Sequence, residues 1–265
     1  MKIGNLSVLG LAGLLSLAAA SRASASPLYF SFNQVGAADI VTLNYAAAGL
    51  NGGSYYAGQY QVESSPNADF SAATAFNTFC VDLFDDVNFG QKYLVDPLST
   101  NGGLTNGAAI AYLYNTYGTA TLSSSGSTTY TDGSGSYTLA NSDYAAALQL
   151  AIWDELANNG QVSSPSTVFQ YSNVNADTLA QISRFLADAS ANSAGSTATW
   201  LDSHVGIAEP SGFVMGQGFI APAAEIPAFT PAPEPSTLVL AGLGLLPIIV
   251  GAMRRRAKAK IATAS

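Results

Sequence analysis

Apolar residues recur at helical spacing through 143–158, where Ala145, Leu148, Ile152 and Leu156 share one face. Gln149 and Trp153 lie one turn apart on the edge of that stripe, and a neutral amide there needs hydrogen-bond partners. Asn141 or Ser142 can cap the start, and Asn158-Asn159-Gly160 marks the end. The pattern predicts two more helices. One spans 108–117, with Ile110, Leu113, Tyr114 and Tyr117 together, and one spans 177–191, carrying Leu179, Ile182 and Leu186.

Alternation predicts strands elsewhere. Candidates are 28–32, 40–45, 55–62, 76–83, Trp200-Leu201 and 212–220, with a turn at Asn51-Gly52-Gly53 and a break at Pro66-Asn67. In 76–83, Phe76, Thr78, Cys80 and Asp82 share one face, with Phe79, Val81 and Leu83 on the other. Both faces are apolar, as in an inner strand, so Cys80 is expected to be buried. The residues from Asp85-Asp86 to Gly102-Gly103 read as a loop, and 119–135 as an exposed loop or weak hairpin. The expected fold is α+β: a β-sandwich or barrel-like body with a helical insertion at about 107–191, an N-terminal signal helix and a C-terminal transmembrane helix.

The two ends differ from the middle. Lys2, the apolar run 6–20 and Ala23-Ser24-Ala25 make 1–25 a signal peptide, the alternative being an uncleaved anchor. The domain expected at 26–221 is followed by a stalk over 222–235, where five prolines stand at 222, 227, 231, 233 and 235. Pro233-Glu234-Pro235 then leads into eighteen residues without a charge, 236–253. As a helix these span about 27 Å, close to a bilayer's hydrocarbon thickness. Arg254, Arg255, Arg256, Lys258 and Lys260 follow, and such a cluster stays cytoplasmic, so the domain faces outward.

Charge narrows the partners. All 17 acidic residues lie between the ends, where Lys92 and Arg184 are the only basic ones. A body this acidic repels phosphate backbones, which excludes nucleic acid. Neutral glycans, basic surfaces and divalent cations remain. One cysteine excludes an internal disulfide, leaving an interchain pair, a buried thiol or a chemically special residue. No metal or other cofactor is expected: His204 is the only histidine and reads as a surface residue, and Asp82, Asp85 and Asp86 do not have the spacing of a calcium loop. No Gly-x-Ser-x-Gly elbow accompanies His204, so the chain is not expected to be an enzyme.

The C-terminal arrangement over 233–260 resembles the PEP-CTERM sorting signal of exopolysaccharide-producing Gram-negative bacteria. That resemblance implies a membrane-held precursor, an exosortase-type processing enzyme as partner, and an end point at the cell surface or in the extracellular matrix. The stretch 55–220 is similar to the thioester domains of bacterial surface proteins. Phe79-Cys80-Val81-Asp82 matches their Cys motif, Leu148-Gln149-Leu150-Ala151-Ile152-Trp153 their Gln helix, and Ala111-Tyr112-Leu113-Tyr114 a Tyr-rich helix before it. Two departures stand out: Leu148 replaces a frequent Thr, and the well-known members belong to Gram-positive surfaces. This second resemblance implies a Cys80–Gln149 thioester that acylates an amine or hydroxyl on a surface target. Asp82 would orient the site and Trp153 would cover the bond or pack in the core. The alternative function is a non-covalent structural component of the exopolysaccharide or biofilm matrix.

Overall fold

The computed structural model describes residues 28–83, 90, 92–132, 135–158, 169–202, 213–214 and 218–222. These lie within one compact unit, Ser26–Ala228. The signal peptide, most of the stalk, Pro233-Glu234-Pro235, the span 236–253 and the arginine cluster fall outside the described residues, as do Asp85, Asp86 and His204. Among the described residues no helix is long and apolar enough to cross a membrane.

The protein is α+β and β-rich. Strand β1 (Leu28–Tyr45) pairs antiparallel with β2 (Leu50–Ser65), and β2 pairs with β3 (Thr74–Cys80). Strand β4 (Lys92–Ser99) pairs with the start of β1. Near the end of the unit, β8 (Thr199–Asp202) joins β4, and β10 (Phe219–Ala221) joins both β8 and β3. The pairings therefore close on themselves in the order β1-β2-β3-β10-β8-β4. Two short strands attach at the margin, β7 (Gln170–Ser172) on β1 and β9 (Phe213–Val214) parallel to β4. Inside the ring Phe30, Phe32, Tyr60 and Phe219 meet, the Phe30–Phe219 rings stacked with centroids 5.0 Å apart.

The helices lie between β4 and β8. They are α1 (Thr100–Gly103), α2 (Gly107–Leu113) running into a π-turn at Tyr114–Gly118, α3 (Asn141–Asn158) and α4 (Ala176–Asn192). The hairpin β5 (Ser127–Asp132) and β6 (Gly135–Ala140) precedes α3, and its Tyr130 packs among Tyr117, Tyr144 and Phe185. Helix α3 lies against β1, β2 and α4. Every residue from Tyr144 to Glu155 is buried, so α3 is a central helix rather than one with a single apolar face. Asn175 caps α4, its side chain accepting from the Thr178 N–H at 2.8 Å.

Several expectations change. The separate strands at 28–32 and 40–45 are one strand, with register shifts at Phe32/Gln34 and Val35/Ala38 that hide its continuity from simple alternation. The first hairpin turns at Ala46–Ala48 and closes on Gly49 in the left-handed region, while Asn51 and Gly53 pair with β1 inside β2 and Gly52 is the residue skipped at the register shift between them. The supposed loop before Gly102 contains β4, whose Pro97 disguises it; that strand sits where pairing to β8 continues around it. Leu179 is 43% exposed, and the buried face of α4 is instead Thr178, Gln181, Ile182, Phe185, Leu186 and Ala189.

Candidate functional site

Strand β3 ends at Cys80. Its ladder to β2 stops at Tyr60–Thr78, and on its other edge Cys80 is the register partner of Phe219. The Val81 N–H continues to the Gly218 carbonyl at 2.9 Å on the β10 side. Successive residues of a strand present their main-chain groups to opposite edges, so the N–H and C=O of Cys80 point to the edge that β2 has left.

Gln149 fills that edge. The Cys80 N–H donates to Gln149 Oε1 at 2.9 Å, and Gln149 Nε2 donates to the Cys80 carbonyl at 2.8 Å. Both residues are fully buried. The carboxamide thus behaves as one more strand residue, satisfying its own donor and acceptor together with those of Cys80. It reaches this position because α3 lies against the sheet and turns its Gln149 side toward the end of β3.

The sulfur is held by the following turn. Cys80 Sγ lies 2.8 Å from the Asp82 carbonyl and accepts from the Asp82 N–H at 3.3 Å. The expected placement of Asp82 on the strand face beside Cys80 does not hold, because β3 stops at Cys80 and Asp82 belongs to the turn. Its main chain is what meets the sulfur. The surroundings are apolar: Phe219 opposite Cys80, with Phe32 and Tyr60 packed against Phe219. Burial, and secondarily Cys80 nearby, pushes the Tyr60 phenol far above its ordinary value.

Trp153 is also buried, but its ring meets Phe169 at 6.2 Å, and Phe169 in turn meets Tyr45 and Tyr171. Its described contacts are therefore those of core packing. No grouping of three metal-ligating side chains occurs among the described residues.

Residues invisible to motif reading also shape the site. Gln59 is fully buried just before the β2–β3 ladder begins. Its Nε2 donates to the carbonyls of Gly118 at 3.1 Å and Ala120 at 2.7 Å, and its Oε1 accepts from the Leu122 N–H at 2.9 Å. Strand β2 also carries Gln61 and Glu63, so residue type alone does not single Gln59 out.

The C-terminal part of α3 carries Asp154 and Glu155, both buried. The Tyr171 hydroxyl donates to Asp154 Oδ2 at 3.1 Å, and Asn106 Nδ2 donates to Glu155 Oε2 at 3.1 Å. Burial raises the Glu155 carboxyl from 4.5 to about 7, the Asn106 hydrogen bond opposes that shift, and Asp154 adds to it. The folded state thus favours the protonated acid. That stabilisation is complete below the unfolded value and is lost as pH rises through about 7. Chemical denaturation at pH 5 and pH 8 is expected to show the wild type weaker at pH 8, with Glu155 accounting for on the order of 2 kcal/mol. Glu155→Gln keeps an acceptor for Asn106 and should abolish that part of the difference.

No protein-family model matches the chain, and no curated protein or solved structure proves similar to it.

Proposed function

We propose that this is an exported cell-surface or extracellular-matrix protein that attaches covalently to its target through a thioester between Cys80 and Gln149. The observation that carries the reading is the seating of the Gln149 carboxamide directly on Cys80, with hydrogen bonds of 2.9 and 2.8 Å in a fully buried setting. A strand end and a central helix are rigid mounts for two groups that must react with one another. The strand ring serves as a barrel-like body, with the helices inserted between β4 and β8.

The chemistry balances within the chain. The thiol of Cys80 adds to Gln149 Cδ, a C–S bond forms, the Cδ–Nε2 bond breaks, and the thiol proton departs on nitrogen as ammonia. The Cys80 N–H already donates to Oε1, the oxygen on which negative charge develops during that addition. A surface amine or hydroxyl then attacks Cδ. A C–N or C–O bond forms, the C–S bond breaks, and the nucleophile's proton returns to sulfur. The apolar surroundings keep water from the activated acyl group until a target arrives.

The address signals complete the reading. The segment 1–25 directs export, and 233–260 holds the precursor in the membrane of a Gram-negative bacterium for an exosortase-type enzyme acting near Pro233-Glu234-Pro235. The mature protein then joins the cell surface or the exopolysaccharide matrix, in adhesion or biofilm formation, without cofactor or nucleic acid.

One observation favours a second reading, a non-covalent matrix component: both the oxygen and the nitrogen of the Gln149 carboxamide are already engaged by the Cys80 main chain. Intact mass spectrometry separates the two. Covalent attachment requires a mature protein one ammonia lighter than its sequence, a deficit that Cys80→Ala abolishes. A mass equal to the sequence, with matrix retention intact in Gln149→Ala, removes the covalent reading.

A further inference from the structure

The large apolar side chains exposed among the described residues are Ile40, Tyr56 and Leu179, and two of these are neighbours. Ile40 on β1 is the register partner of Tyr56 on β2, so both side chains stand on one face of the sheet, side by side. They are 48% and 54% exposed. Val41 and Leu43 alternate with them and are buried, so the exposed pair lies on the outer face. Two residues further along β1 the same face carries Thr42, paired with Ser54 of β2 on one side and Ser172 of β7 on the other. An aromatic and an aliphatic side chain are thus followed by a row of hydroxyls.

Ile40 is also one wall of a cleft of about 350 Å³ between β1 and the turn from β7 into α4, lined besides by Asp39, Asn173, Val174 and Asn175. Its polar groups are held in place. Asn173 sits in the left-handed region at φ 59°, and its Nδ2 donates to the Ile40 carbonyl at 3.0 Å. The Ile40 N–H donates to Asp39 Oδ1 at 3.0 Å. Asn175 is occupied at both ends, accepting from the Thr178 N–H and donating to Asp143 Oδ1, each at 2.8 Å. Asp39 Oδ2 and Asn173 Oδ1 have no hydrogen-bond partner among the described residues, so two acceptors on fixed stems remain for a ligand.

Charge selects among ligands. Asp39 lines the cleft, and Asp143 is bonded to its Asn175. The two basic residues of the body are engaged elsewhere, Lys92 over the Phe70 ring and Arg184 over the Tyr137 ring. An acidic ligand therefore finds repulsion and no counter-charge. A sugar ring matches what is present. Its C–H face is apolar and suits an exposed tyrosine ring, and its rim of hydroxyls suits fixed acceptors and a hydroxyl row.

We infer that this outer face is a non-covalent binding site for a neutral polysaccharide chain. One sugar stacks on Tyr56 beside Ile40, Asp39 and Asn173 accept from its hydroxyls, and the Ser54–Thr42–Ser172 row meets the chain as it continues. Such binding is reversible and needs no bond at Cys80, so it adds a site that neither functional reading specifies.

Calorimetric titration of the full chain tests this, with neutral hexasaccharides of glucose, galactose, mannose and N-acetylglucosamine as probes. Hexagalacturonate and a glucosamine hexamer serve as the acidic and basic comparisons, all at high salt, where diffuse attraction to the acidic surface is screened. A neutral probe is expected to bind more tightly than either charged one. Tyr56→Ala should weaken that binding about tenfold, while Tyr56→Phe, which keeps the ring, stays near wild type. Asp39→Asn, which exchanges a charged acceptor for an amide, should weaken it about threefold. Tyr137→Ala, which removes a tyrosine from the β5–β6 hairpin instead, should leave it unchanged. No binding by any neutral probe, preference for a charged probe, or wild-type affinity in Tyr56→Ala overturns the inference. So does an equal loss in Tyr137→Ala. Should Tyr56→Ala not fold, Tyr56→Leu carries the same comparison. Cys80→Ala is expected to bind as wild type does, and loss of binding there also overturns the site. A full-sequence mass removes the thioester reading alone and leaves the glycan affinity to be judged by titration.

Discussion

Gln149→Ala is expected to destabilise the protein by about 3–5 kcal/mol in chemical denaturation, one of the two largest effects of a single substitution foreseen here. Three costs combine. The Cys80 N–H loses its acceptor, the Cys80 carbonyl loses its donor, and the shortened side chain leaves a cavity beside the strand end. Neither main-chain group can turn to solvent, because both residues are fully buried. Gln149→Glu probes the same seat differently. One carboxylate oxygen can accept from the Cys80 N–H, but the other would face the Cys80 carbonyl, where Nε2 now donates at 2.8 Å. Two acceptors at that distance need a proton between them, so the introduced acid has its folded pKa raised. Its stability contribution is present at low pH and lost as pH rises. Gln149→Glu should therefore approach wild-type stability near pH 5 and fall well below it at pH 8. A variant equally stable at both values would show that the amide pair does not hold the strand end.

Gln59→Ala should cost about 3 kcal/mol or more, measured the same way. Its carboxamide joins β2 to 118–122 through the buried main chains of Gly118 and Leu122 and through the Ala120 carbonyl nearer the surface. Without it the Gly118 carbonyl and the Leu122 N–H are left unpaired in a buried setting. The segment after the π-turn should also become open to protease, which limited proteolysis of the folded variant reports. If Gln59→Ala loses stability but 118–122 stays resistant, the glutamine is packing rather than a tether. Gln59 and Gln149 are alike: each supplies hydrogen bonds to main-chain groups that the backbone ladder leaves unpaired.

Much of this could be read along the chain. The apolar periodicity of 143–158 and 177–191 located two long helices, and the alternation in 76–83 found β3 and the burial of Cys80. Local pattern failed where pairing overrides it. Bulges in β1 break the two-residue period, so one strand reads as two. Pro97 in β4 reads as a loop, since no local rule reveals that it and its neighbours Asp96 and Leu98 are paired with β8. Leu179 fits the helical stripe of α4, yet that side of the helix faces solvent.

The sequence by itself determined which residues carry distinctive chemistry: a single cysteine in a largely apolar strand end, and a glutamine inside the apolar run of a helix. Only the tertiary structure decided how they meet. The strand ends at Cys80, so the main chain of that residue, rather than a free face, is what Gln149 seizes, and Asp82 bonds the sulfur through its backbone. The structure likewise put Trp153 against Phe169. The physical reason is one of range. Periodicity reports which side of an element is apolar, whereas the partner of that side is fixed by ring closure among strands far apart in the chain.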